Sequence, residues 1–258
     1  MAVLTVLEKC YGVHWRLLLR VFEDALTPLV GGLDVQFKVL GRTGDHWIQV
    51  EVVGSDGPVA TRYLDQTFGL APLALANVNR FTELRGKIID AGRVGYGLYV
   101  DVGITSPRRI DVFLPLHVLR SQLADGKKLS LPTLIDAFAL YDNRPLTIQV
   151  TRIDAAKGEV EGRLSPRQTA LFEAWVSLDF DRVLVLGAPF PDVHLLIKRS
   201  SVARDVIKVL PLGFLEQQLL CKLGTEGPGL IKAIGSLLPQ TPLHCFSPKR
   251  VRMIRDGP

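Results

Sequence analysis

The 258-residue chain has only three cysteines, Cys10, Cys221 and Cys245, and none stands in a CxxC pair. An odd count without that spacing speaks against a disulfide framework or a cysteine zinc site, and it suits a reducing, cytoplasmic setting. Long apolar runs are missing too. The longest weakly polar stretch, Phe68 to Val78, is about half the ~20 residues a membrane-spanning helix needs, and Pro72 interrupts it. The opening MAVLTVLEKCYG lacks the basic stretch and small-residue cleavage site of a secretory signal, so secretion is not expected. Five histidines (His14, His46, His117, His194, His244) are scattered without an HxH or HxxxH pair, so no metal site is expected. No GxSxG elbow, Walker loop or Rossmann fingerprint occurs, and no cofactor is expected. Asp101 and Asp111 could form a carboxylate pair across neighbouring strands. Such residues more often cap loops or pair with arginines, here Arg108 or Arg109. Cys221 and Cys245 lie in apolar strands and read as buried thiols rather than nucleophiles. No catalytic residue is assigned.

What is present is material for a core. Apolar residues make up 47% of the chain and charged residues 22%, a globular balance rather than a disordered one. The net charge of +5 is unevenly spread. Residues 1–80 carry 7 basic against 8 acidic residues, a net of −1; residues 81–168 carry 13 against 10, and residues 169–258 carry 11 against 8, a net of +3 each. Four of the last basic residues, Lys249, Arg250, Arg252 and Arg255, fall in one short run. A polyanion partner, if there is one, therefore belongs to residues 81–168 and to the tail.

Periodicity divides the chain at the same places. Residues 1–80 read as a strand (Val3 to Leu7), a helix (His14 to Val30), a hairpin (Val35 to Val39, then Trp47 to Val52) and a helix from Pro58 to about Phe68. Leu73 to Val78 is the candidate fourth strand, and Pro72 confines it to an edge or a strand start. Residues 169–258 repeat the order: strand Arg182 to Leu186, helix Asp192 to Ser200, strands Val206 to Leu210 and Leu215 to Leu223, helix Gly229 to Leu238, strand Leu243 to Phe246. That is the βαββαβ order of a ferredoxin-like sandwich. Each segment also has a G-[ST]-[DE]-G-P stretch before its second helix, Gly54 to Pro58 and Gly224 to Pro228. The shared stretch suggests duplication, or simply good helix-start chemistry: Ser55 or Thr225 to cap, an acid for the helix dipole, proline for the first turn. Glycine amides there could also cradle a phosphate, but Asp56 and Glu226 would repel it.

Residues 81–168 differ. Short strands at Arg85 to Asp90, Tyr96 to Gly103 and Asp111 to Leu114 lead into a helical turn from Pro115 to Leu123. A hairpin follows, Leu146 to Ile153 and Glu159 to Leu164. Five strands with a helix after the third describe an OB barrel. The intervening Gly126 to Arg144 is long for a barrel connection and suits an extra turn or short helix. The fold expected is thus α+β, a central five-stranded OB barrel (81–168) between two ferredoxin-like units (1–80 and 169–258).

The run R-G-K-I-I-D, then G-Y-G-L-Y-V-D-V-G, then D-V-F-L-P-L resembles the OB domain named after ribosomal protein S-one, over about residues 83–165. In that family two aromatics of the second strand stack on RNA bases, so the resemblance implies this role for Tyr96 and Tyr99. Leu114 stands where the family has a histidine, and His117 lies three residues on. Nearly the whole chain also resembles an archaeal protein family of unknown function, through Asp142 to Asp154, Asp181 to Val183 and Cys221 to Thr225. That implies an archaeal source and brings no activity.

Two functions follow as expectations. The first is non-catalytic contact with single-stranded or ribosomal RNA. Its candidate residues are Tyr96, Tyr99, Lys87, Arg93, Arg108, Arg109 and Arg152 on the barrel and Lys249, Arg250 and Arg252 in the tail, with bases stacked on aromatics beside cations. The second is a protein–protein adaptor whose barrel and ferredoxin-like faces bind other polypeptides. Tyr96 and Tyr99 are three residues apart in a strand, so spacing alone does not put both on one face; a bulge or coiling at Gly97 would decide.

Overall fold

A computed structural model describes residues 2–12 and 14–256, and not the side chains of Leu29 and Val30. The last two residues of the helix expected over His14 to Val30 therefore have side chains outside those described. The protein is mixed α+β and divides into two compact units: residues 1–77 with 103–109, and residues 78–102 with 110–258.

In the first unit, β1 (Ala2–Lys9), α1 (Trp15–Leu26), β2 (Gln36–Arg42), β3 (Trp47–Val53) and α2 (Gly57–Phe68) follow one another. The sheet order is β1-β3-β2, antiparallel throughout. Val50 and Val52 of β3 are buried in the same core as Phe22, Leu26, Ala60 and Leu64 of the helices. This is a ferredoxin-like arrangement with its fourth strand reduced to a bridge between Val6 and Leu70. The Leu7 and Ala71 amides complete it, donating to Gly69 O and Thr5 O, both at 2.9 Å. Pro72 has no N–H to carry the pairing further. The stretch expected to supply the fourth strand forms only β4 (Leu73–Ala74), which pairs in parallel with Ile104 and Ser106.

The second unit opens with the barrel: β5 (Glu83–Ile89), β6 (Gly97–Ser106), β7 (Ile110–Pro115), β8 (Pro145–Asp154) and β9 (Glu159–Leu164). Pairings β6–β5, β5–β8, β8–β9, β9–β7 and β7–β6 close the ring, with β7–β9 parallel. That is OB connectivity. Between β7 and β8 lie α3 (Leu116–Leu123) and α4 (Leu131–Phe138), the latter filling the long connection. Alternation sends Val100, Val102, Val112, Leu114, Ile148, Val150 and Val160 inward. The far end of the β6–β7 hairpin, residues 103–109, belongs to the first unit.

Next come α5 (Pro166–Ser177), β10 (Arg182–Leu186), α6 (Phe190–Arg199), β11 (Val206–Pro211), β12 (Glu216–Cys221), α7 (Gly227–Ile234), β13 (Leu243–Phe246) and α8 (Pro248–Asp256). The sheet order β11-β12-β10-β13 is a complete ferredoxin-like sheet. One face packs on α6 and α7 through Val183, Val185, Leu219, Val193, Ile197, Leu230 and Ile234. The other face lies against the barrel side. Phe246 meets Trp175 at 5.2 Å and Phe138 at 6.2 Å between ring centres. Arg144, from the Asp-Asn-Arg-Pro run, is fully buried there. It donates to the Phe138 carbonyl and, at 2.8 Å, to that of Ala139, and lies 4.9 Å over Phe172. Burial pushes its pKa down to about 9, which leaves it charged at neutral pH.

The repeated G-[ST]-[DE]-G-P stretches do not repeat their contacts. Neither Ser55 nor Thr225 caps its helix. Ser55 Oγ donates to Asp34 Oδ2 at 2.7 Å, while the Gly227 amide donates to Asp181 Oδ2 at 2.8 Å. Real serine caps occur elsewhere, Ser130 for α4 and Ser165 for α5, each followed within two residues by proline.

Tyr141 stacks on His244 with ring centres 3.6 Å apart and planes 11° from parallel. Burial, and then the nearby Arg144 charge, lowers the His244 pKa below 6.5, against a smaller opposing pull from Asp136. His46 is lowered as well, by burial and then by Arg42. The unfolded chain therefore binds protons that the folded one refuses. Stability is expected to be full above about pH 6.5 and to fall as the pH drops from there towards the folded-state pKa values. Urea unfolding at several pH values is the measurement. His244→Phe, which keeps the stack, is expected to flatten the acid limb by no more than about 1.4 kcal/mol per pH unit.

Candidate nucleic-acid interface

On the outer surface of β6 and β7 three aromatic rings meet. Phe113 lies 5.6 Å from Tyr96 and 5.2 Å from Tyr99, centre to centre. Tyr96 is 60% exposed. It precedes the strand and is held by its carbonyl, which accepts from the Leu116 amide at 2.8 Å. Tyr99 and Phe113 project outward from their strands by alternation, since Leu98, Val100, Val112 and Leu114 are buried.

Gly97 explains how Tyr96 and Tyr99 come together. A Cβ at this position would overlap the Leu114 carbonyl oxygen and the edge of the Phe113 ring. The missing side chain leaves room for Phe113, whose ring then touches both tyrosines. Phe113 is thus a central residue that the sequence reading missed. Its signal was present in the alternation of Val112, Phe113 and Leu114. Leu114, in the place of the resembled family's histidine, is buried and offers no surface contact.

Charge around the rings is mixed. The Tyr99 pKa is raised, first by a hydrogen bond with Tyr96, then by burial, and further by Tyr96, Asp111 and Glu159. Two carboxylates therefore stand near the aromatic cluster. Among the candidate cations, Lys87 needs correction as a surface contact. It points away from the barrel interior, but its ammonium is buried in an ion pair with Glu216 of the C-terminal sheet. Arg93 is exposed and pairs with Asp90 at 3.0 Å; Arg152 pairs with Glu161 at 2.8 Å. In the first unit Arg109 pairs with Asp45, and Arg108 is exposed.

The basic tail is not an extended arm. It forms the helix α8, whose Val251 is buried. Arg250 bonds Asp136 at 3.1 Å, and Arg252 bonds Asp179 and the Val176 carbonyl. Arg255 makes two bonds to Glu173, at 2.9 and 2.6 Å. Lys249 is exposed at the helix start. Most of the tail's charge therefore docks the helix onto α4 and α5 and the loop that follows α5.

The thiols are poor nucleophiles. Burial pushes Cys10 up to about 11 and Cys221 and Cys245 up to about 12. Among the described residues no three His, Cys, Asp or Glu side chains gather as a metal site, and no helix is long and apolar enough to cross a membrane.

No curated protein matches the chain. Among solved structures, an uncharacterised protein from Methanocaldococcus jannaschii is 13% identical over 34% of this chain and 95% of its own, with a TM-score of 0.24. A protein of vaccinia virus, Wisconsin strain, is 15% identical over 34% of this chain and 89% of its own, at 0.23. A chain of the a/eIF2alpha–aDim2p–rRNA complex from Pyrococcus horikoshii is 12% identical over 47% of this chain and 62% of its own, at 0.27. Likenesses this weak assign no activity. Family models reach further, and in the order of the structure: residues 78–176 match the DUF2110 central domain and residues 180–244 the DUF2110 C-terminal domain, so over most of its second unit the chain is similar to the DUF2110 family.

Proposed function

We propose that the protein is a non-catalytic binder of single-stranded RNA that stacks bases on Tyr96, Tyr99 and Phe113. One observation carries this reading. An exposed aromatic cluster lies on the second and third strands of the barrel, the face through which OB folds bind oligonucleotides. Each stacked base contributes about 1–3 kcal/mol. Arg93 and Arg152 sit in exposed ion pairs. Such pairs are worth only about 0–1 kcal/mol, so either arginine can exchange its carboxylate for a phosphate at little cost. The C-terminal sheet does not take part, because the face an RRM would use is packed against the barrel side.

Fluorescence anisotropy with labelled single-stranded RNA at about 50 mM salt tests this proposal. Tyr99→Ala is expected to weaken binding by about 5- to 150-fold, the equivalent of one lost stack. Affinity should fall as salt rises. A folded protein with no RNA affinity at that salt would overturn the reading. The presence of Asp111 and Glu159 beside Tyr99 favours a second reading, a polypeptide partner on the same rings. That complex would survive nuclease and high salt.

A further inference from the structure

A second aromatic stands exposed on the same barrel, away from the tyrosines. Phe81 is 64% exposed and has φ of 69°, the left-handed region that a bulky side chain seldom enters. Such strain persists only where the surroundings impose it. Here they do. The Phe81 amide donates to Val150 O at 2.8 Å, the Val150 amide donates to Thr82 O at 3.0 Å, and Gln149 Nε2 donates to the Phe81 carbonyl at 3.3 Å. The result is a phenyl ring turned into solvent.

Two arginines stand by this patch, one over the ring and one on Gln149, and neither makes an ion pair among the described residues. The Arg80 guanidinium lies 5.0 Å over the Phe81 ring and donates through Nε to the Thr151 carbonyl at 3.0 Å. Arg163 donates through Nε and Nη2 to one neutral acceptor, Gln149 Oε1, at 3.0 and 2.7 Å. That acceptor belongs to the same Gln149 that holds Phe81. Unlike Arg93, Arg109 and Arg152, these two donate to neutral acceptors.

This patch continues from the tyrosine cluster by strand register. Phe113 of β7 is level with Glu161 of β9, and Arg163 is the next outward position on β9. Arg163 is level with Gln149 of β8, which bonds Phe81. Of the acids by this route, Glu161 is already paired with Arg152, and Glu83 of β5 stands level with Gln149 on its other side. Three steps between strands of about 4.8 Å and one two-residue step along β9 make a path of roughly 20 Å. That is about six nucleotides at a stacked rise of about 3.4 Å per nucleotide.

We propose that Phe81, Arg80 and Arg163 form a second contact for the RNA strand that the tyrosine cluster engages. Phe81 stacks a base, and the two arginines neutralise phosphates beside it. This rests on the RNA reading above and adds a length requirement to it. A short oligonucleotide occupies the tyrosine cluster alone; one long enough to span the path reaches both.

The test is anisotropy with fluorescein-labelled oligouridylate of about 4 and about 12 nucleotides, within the range of OB site sizes. Phe81→Ala is expected to weaken the longer probe about tenfold and to leave the shorter one unchanged, while Tyr99→Ala weakens both. Arg163→Gln should also lower the salt slope for the longer probe by about 0.7, the share of one phosphate on a single strand. If both probes bind the unmodified protein and Phe81→Ala and Arg163→Gln bind each as well as it does, the second contact is wrong and the tyrosine reading stands. If neither probe binds the unmodified protein, the RNA reading fails and takes this contact with it.

Discussion

Lys87→Met is expected to lower the unfolding free energy by about 3–5 kcal/mol, read as a drop in the urea midpoint at pH 7. The ammonium pairs with Glu216, which has no exposed surface, and stands opposite Asp101 across the β5–β6 ladder. Asp101 is buried as well. Removing the cation leaves carboxylates in a medium that solvates them poorly, and that loss is larger than the worth of the intact pair. Lys87→Met with Glu216→Leu should therefore be much closer to the unmodified protein than Lys87→Met alone. The part that stays unrecovered measures what Asp101 contributes. If the losses of Lys87→Met and Glu216→Leu simply add in the double variant, the pair is not coupled.

Gly97→Ala is expected to destabilise by about 1–3 kcal/mol and to weaken RNA binding as far as Tyr99→Ala does. The added methyl would overlap a backbone oxygen as well as the Phe113 ring, and the backbone has little freedom to give way. Phe113 must turn aside, and the two tyrosines then lose the ring between them. Near-ultraviolet circular dichroism should register the change in aromatic packing. Gly95→Ala is the control, because a Cβ there meets nothing within 4 Å. If Gly97→Ala retains full affinity and packing, the glycine is not what assembles the cluster.

These two residues also show where sequence reasoning stops. Alternation along a strand separates the inside of a barrel from its outside, and it sends Lys87 outward correctly. It carries no record of what later packs on that outside, so a cation under the C-terminal sheet looks like a surface cation. Tyr96 and Tyr99 could not be brought to one face from their own spacing, because the ring that joins them comes from the neighbouring strand. The C-terminal sheet was legible to within a few residues at each strand, since apolar alternation and glycine or proline breaks agree there. The fourth strand of the first unit was not. Its apolar run from Leu73 to Val78 looks like a strand, but the pairing with β1 ends at Ala71, beside a proline that cannot donate. The tail reads as a basic run in sequence, while its ion pairs come from acids 73 to 114 positions away.

The assignment of residues 103–109 to the first unit has a consequence for synthesis. A ribosome releases chain from the N-terminus, so β1 to α2 emerge well before the end of the β6–β7 hairpin. Gly103 then has to enter a space where a Cβ would overlap that of Ala71 and crowd Leu7. The first unit cannot reach its final packing until part of the barrel has been made. Its two pieces are separated in the chain by β5 and most of β6, so no single cut releases the whole unit. A fragment ending at residue 77 is an unfinished fold rather than a domain.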